Sequence, residues 1–145
     1  MNMRAISPVI ATVIIVSVAI AIAVAVAFWM TGITGLFTRY EKLEVISAYA
    51  TGNESSGWTI SIIVKNTGTT DVTIDEIFIN GKPSSAWSGK ITFPSLPQSL
   101  SPGSQTTLTL TVQPKTTSGL SSGQIIEVKL HTAAGNEYPR SVQLP

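Results

Sequence analysis

The residue types able to do chemistry in this chain are few and scattered. His131 is the only histidine, and alternation along its strand puts it beside Glu127 and Lys129 on the polar side. Acid–base work by an imidazole needs an oriented partner and a reacting group within hydrogen-bond reach. The local sequence supplies neither, so a solvated or interface position is expected. Asp75-Glu76 is an acidic pair, but a calcium loop needs several more oxygen ligands at set spacings. A bulge or turn is the better expectation. Asn80-Gly81-Lys82 reads as a hairpin turn, because the glycine framework of a phosphate loop is missing. Without cysteine, the chain has no disulfide and no cysteine-based metal or redox centre. No catalytic residue, metal site or cofactor is therefore expected. One modification signal remains: Asn53-Glu54-Ser55 is an N-glycosylation sequon at a turn, which makes Asn53 a candidate sugar acceptor.

What positions these residues is mostly β-structure. From about Leu43 the apolar pattern has period two. Trp58, Ile60, Ile62 and Val64 alternate with Thr59, Ser61 and Lys65. Leu108, Leu110 and Val112 alternate with threonines, and Ile126, Val128 and Leu130 with Glu127, Lys129 and His131. Each run has one face for a core and one for water. Turn signals separate them at Thr51-Gly52-Asn53, Asn66-Thr67-Gly68, Asn80-Gly81, Pro102-Gly103 and Gly135-Asn136. Within Val72–Ile79 the apolar parity switches, and a bulge near Asp75-Glu76 would restore the register. Residues 84–104, rich in Ser and Pro, read as a long loop around one short strand, Lys90 to Phe93. Trp58 belongs to the core by its alternation, whereas Trp87 falls in that loop, as an edge cover or a contact for adhesion or assembly. Six or seven short strands in about 100 residues point to an immunoglobulin-like antiparallel β-sandwich.

The N-terminal part obeys different physics. Between Ala5 and Thr38 there is no Asp, Glu, Lys, Arg or His. As a helix this run is about 50 Å long, while a bilayer core needs only about 20 residues. A secretory signal peptide has an apolar region of only about 7–15 residues, and a sandwich this small cannot wrap a rod so long. Basic groups flank the run evenly (the α-amine and Arg4 before it, Arg39 and Lys42 after it), so the positive-inside rule sets no orientation. Two readings stand: a membrane anchor carrying a β-domain, and a helix that leaves the membrane to pack among copies of itself. Ala19, Ala23 and Ala27 form one smooth stripe, and Ala21 and Ala25 a second. Small residues four apart let helices approach closely, and a helix apolar all round is covered on every side. Glycines at 32 and 35 are expected to loosen the helix and make a joint over Thr31–Gly35. The whole chain is thus α+β: a long N-terminal hydrophobic α-helix, then the sandwich. With a net charge of +1 and only 12% charged residues, it has no basic patch for nucleic acid.

The opening residues add a specific pointer. Met1-Asn2-Met3-Arg4-Ala5, then Ile6-Ser7-Pro8-Val9-Ile10 before a long Ala/Val/Ile helix, resemble the class III signal sequence of archaeal type IV pilins. The Asn-Thr-Gly, Ile-Asn-Gly and Ser-Pro-Gly turns of the β-domain are similar to those of pilin and archaeal flagellar headgroups. Flagellar relatives usually carry Gly-rich small residues in place of Ser-Pro-Val-Ile, so the resemblance favours the pilus over the flagellum. Bacterial pilins carry a Glu where Ile10 stands here, in keeping with the archaeal branch. Ser7 can cap the helix and Pro8 can occupy its first turn.

The resemblance implies residues 1–5 as a leader, 6–42 as an assembly helix and 43–145 as a headgroup. It implies cleavage by a prepilin peptidase at Arg4-Ala5-Ile6, after Ala5 in the preferred register. It implies membrane insertion of the precursor, then polymerisation into an extracellular, adhesive filament by assembly machinery, on which the sequon at Asn53 is expected to carry sugar. The expected partners are other copies of the chain, the peptidase and machinery, and the membrane before assembly. The alternatives are an uncleaved, membrane-anchored β-sandwich binding module and an archaeal flagellar filament subunit.

Overall fold

The computed structural model describes residues 6–145. The chain divides into two compact units, one ending at Arg39 and one spanning Tyr40–Pro145. The first is a single helix, α1 (Ile6–Phe37). It runs through Gly32 and Gly35 without a break, so the joint expected over Thr31–Gly35 is not there. A lone glycine costs a helix interior only about 1 kcal/mol, too little to interrupt a cooperative rod. Pro8 is the third residue of the described helix.

The second unit contains, in chain order, β1 (Leu43–Asn53), β2 (Gly57–Asn66), β3 (Val72–Ile79), β4 (Lys82–Pro83), a 3₁₀ turn (Ser84–Trp87), β5 (Ile91–Thr92), β6 (Gln98–Leu100), β7 (Gln105–Val112), a short helix α2 (Lys115–Ser118), β8 (Ile125–Thr132) and β9 (Glu137–Gln143). One antiparallel sheet has the order β1-β2-β7-β5; the other has β4-β3-β8-β9, with β6 also pairing on β3. The two sheets form a sandwich. Its core is Trp58, Ile60, Ile62 and Val64 from β2, Leu108, Leu110 and Val112 from β7, and Ile126, Val128 and Leu130 from β8, joined by β3 residues. These are the residues that the alternation assigns to the inside.

The parity switch in β3 is a bulge: the β3–β8 register slips between Ile74 and Glu76. A second slip lies in β1, between Val45 and Ser47. Asn80 and Gly81 turn β3 into β4 with φ of 50° and 73°, the left-handed pair that a two-residue hairpin demands. Residues 84–104 hold more structure than one short strand. β5 is there, but so is β6, and Trp87 is half-buried with Nε1 donating to the Ile79 carbonyl at 3.2 Å. Trp87 therefore seals the core edge.

The two outer faces differ. On the β3-β8-β9 sheet lie Asp75, Glu76, Glu127, Lys129, His131 and Glu137. The outer face of the β1-β2-β7-β5 sheet carries mostly hydroxyl side chains.

Candidate functional site

α1 exposes large apolar side chains around its whole circumference. From Val9 to Phe37 they are 48–83% exposed, Ile33 alone being less so. Its polar side chains close on the helix itself. The hydroxyls of Thr12, Ser17, Thr31 and Thr34 donate to the carbonyls of Val9, Val13, Ala27 and Met30 at 2.7–2.8 Å. Such back-bonding satisfies a hydroxyl without water. A rod some 48 Å long thus offers its surroundings almost nothing but hydrocarbon. Ala19, Ala23 and Ala27 follow one another along one side of this helix, and Ala21 and Ala25 along nearly the opposite side, all exposed. Arg4 and Ala5 of the expected cleavage site lie outside the described residues, as do the side chains of Ile6 and Ser7.

In the second unit, the residues that open the β-domain are held by two loops. The Tyr40 amide donates to Thr69 Oγ1 at 3.0 Å, and the Tyr40 carbonyl accepts from the Thr69 amide at 3.0 Å. The Lys42 carbonyl accepts from the amides of Thr67 at 2.9 Å and Gly68 at 3.1 Å. Beneath them Asn66 is fully buried. Its Nδ2 donates to the carbonyls of Thr70 and Leu100, both at 2.8 Å, and its Oδ1 accepts from the Gly68 amide at 2.9 Å. The Glu41 carboxylate accepts from the Thr132 hydroxyl and from Asn136 Nδ2. The Asn-Thr-Gly turn, legible as a turn in the sequence, is thus also the seat of the incoming chain. That role has no local sequence signal, because its partners lie more than twenty residues away.

Several titratable residues pair at the surface. His131 Nδ1 lies 2.7 Å from Asp75 Oδ1, a partner that the bulge delivers and the local sequence does not show. Lys129 pairs with Glu137 at 3.0 Å and lies 5.2 Å from the centre of the Phe78 ring. Glu76 accepts from the Ile77 and Ser84 amides. Hydrogen bonds from Ser84, with one from Ile77, hold its carboxyl below the usual range despite partial burial and nearby Asp75. Glu54 accepts from the Ser122 amide at 2.9 Å and from Lys115 at 3.2 Å, and these two contacts lower its pKa. Among the described residues no three His, Asp or Glu side chains converge as a metal site would need. Asn53 is exposed at the β1–β2 turn, its Oδ1 accepting from the Ser55 and Ser56 amides at 3.0 and 2.8 Å.

No family model matches the chain, and no curated protein does. Solved structures do. The archaeal flagellum of Methanospirillum hungatei strain JF1 superposes with a TM-score of 0.50 at 17% identity, over 99% of this chain and 93% of that one. The Iho670 flagellar-like filament matches with a TM-score of 0.41 at 14% identity, over 94% and 98% of the two chains. The CARDB domain of the Pyrococcus furiosus PF1109 protein, solved with di-metal ions, matches with a TM-score of 0.40 at 16% identity, over 73% and 94%. Over nearly its whole length, then, the chain has the fold of an archaeal flagellar filament subunit, a long apolar helix followed by an antiparallel β-sandwich, in agreement with the archaeal type IV pilin-like architecture expected from the sequence.

Proposed function

We propose that this chain is the structural subunit of an archaeal surface filament and that it polymerises through α1. The observation that carries this reading is the helix itself. It is 32 residues long, apolar on all sides, and its hydroxyls are already satisfied. Each Val or Ile moved from apolar surroundings into water costs about 1.5–3 kcal/mol. Such a helix leaves a bilayer only if it docks among like helices as it leaves. A contact that repeats without closing on itself then builds an open helical fibre. The fold likeness to a flagellar subunit supports a filament-forming chain.

Within that class we favour a pilus. Ile6-Ser7-Pro8-Val9-Ile10 supports this, with removal of residues 1–5 by a prepilin peptidase and assembly by dedicated machinery. The precursor sits in the membrane and the finished filament outside the cell, its headgroup serving adhesion and Asn53 carrying sugar. A flagellar filament is the second reading, because the flagellar chain matches over nearly all of both lengths. A membrane-anchored binding module is the rival to both.

The test is fractionation of cells that make the chain. Shearing should release pelletable, heat-resistant polymer whose subunits begin at Ile6. Recovery only as detergent-soluble monomers retaining Met1–Ala5 would refute the proposal. Motility lost together with the filaments would favour the flagellum.

A further inference from the structure

The register of the hydroxyl-rich sheet places four threonines in one row across all four strands. Thr51 of β1 pairs with Thr59 of β2, Thr59 with Thr111 of β7, and Thr111 with Thr92 of β5. The next row runs Thr109, Ser61, Tyr49. Strands lie about 4.8 Å apart, so the first row spans about 14 Å. Thr51, Thr92, Thr109, Thr111 and Tyr49 are exposed, while Thr59 and Ser61 are half-exposed. None of these hydroxyls has a hydrogen-bond partner among the described residues. No charged side chain interrupts the two rows. Charges border the rows at the strand ends: Lys90, exposed two residues before Thr92, and the Glu54–Lys115 pair just beyond β1 and β7, while Glu44 and Lys65 are paired opposite each other towards the far end of the sheet.

We propose that this face binds a neutral polysaccharide, an inference that rests on the reading of the headgroup as an adhesive surface. A row of unpaired hydroxyls both donates and accepts, as sugar hydroxyls do. The strand spacing comes close to the length of one pyranose ring, so successive threonines can meet successive sugars. Tyr49, exposed at the end of the second row, offers a ring face to sugar C–H groups and a phenol to their hydroxyls. Within the two rows there is no charge to pair with an anionic or cationic ligand, and of the charges that border them Glu54 and Lys115 already pair with each other. An apolar partner such as a membrane would leave the hydroxyls buried and unsatisfied.

The test uses sheared filaments or, if none form, the full chain in detergent. The probes are insoluble neutral glucan and the same matrix carboxymethylated. Adsorption to the neutral glucan should survive high salt, and the charged matrix should bind no better. Thr59→Val with Thr111→Val keeps shape and strand propensity, and should lower adsorption about tenfold. Glu127→Gln, on the other sheet, should leave it unchanged. The proposal is overturned by equal adsorption of the double variant, by adsorption that salt abolishes, by no adsorption at all, or by intact mass showing the row threonines already glycosylated. A reconstruction with the row packed against a neighbouring subunit overturns it too. Loss of adsorption with normal filaments in the double variant separates this face from assembly, while failure to form filaments in the parent chain refutes only the polymer reading.

Discussion

A Cβ placed on Gly68 would lie 2.6 Å from the backbone nitrogen of Lys42 and 2.6 Å from the carbonyl oxygen of Tyr40. The obstacle is backbone on both sides, with no flexible side chain to swing away. Gly68→Ala should therefore pull the entering chain off its seat. It should destabilise the β-domain by about 1–3 kcal/mol, each of which lowers Tm by about 4–8 °C in a domain of this size. Thermal unfolding of the full chain in detergent checks it. Gly32→Ala, with open space around its Cβ, should leave the same transition in place.

Asn66 is fully buried and makes three hydrogen bonds with its side-chain amide, two through Nδ2 and one through Oδ1. Asn66→Ala would orphan the Thr70 and Leu100 carbonyls that Nδ2 serves. Each buried group left unpaired costs about 1–3 kcal/mol. Denaturant unfolding should show a lower midpoint with an unchanged slope.

Acid should weaken the β-domain through Glu54 and Glu76. Both carboxyls titrate below the usual glutamate value of 4.5, Glu54 chiefly through the Ser122 amide and Lys115, and Glu76 chiefly through Ser84. A folded-state pKa below the unfolded one gives stability that is present above the unfolded value and lost as pH falls through the folded one. The loss should begin near pH 4.5 and deepen below it. Glu54→Gln with Glu76→Gln should flatten that limb in a stability–pH profile and change little at pH 7.

The alanine stripe should tolerate no bulk. Ala23→Trp puts an indole where a neighbouring helix must come close. It should abolish filaments while the β-domain melts at its usual temperature. Normal filaments from this variant would count against close packing on that side.

Much of the fold is legible in the sequence, because alternation over β2, β7 and β8 is uninterrupted and each strand has one buried face. The β3 bulge is legible as a parity error that only an inserted residue repairs. β9 is not, because as an edge strand it buries only Val142 and carries Pro139 in its middle, leaving no period to see. β6 hides for a similar reason, as three residues in a Pro- and Ser-rich stretch. The continuity of α1 through Gly32 and Gly35 shows the limit of local propensity against a long cooperative helix. The seat for Tyr40 and Lys42, and the meeting of His131 with Asp75, depend on tertiary register that no short window contains.

A cryo-electron microscopy reconstruction of material sheared from cells would show directly what surrounds α1 in its final state. The expected image is an unbranched fibre whose axis is a bundle of α1 helices packed side against side, with β-domains on the outside. Native chains found singly, each α1 surrounded by lipid, would contradict it.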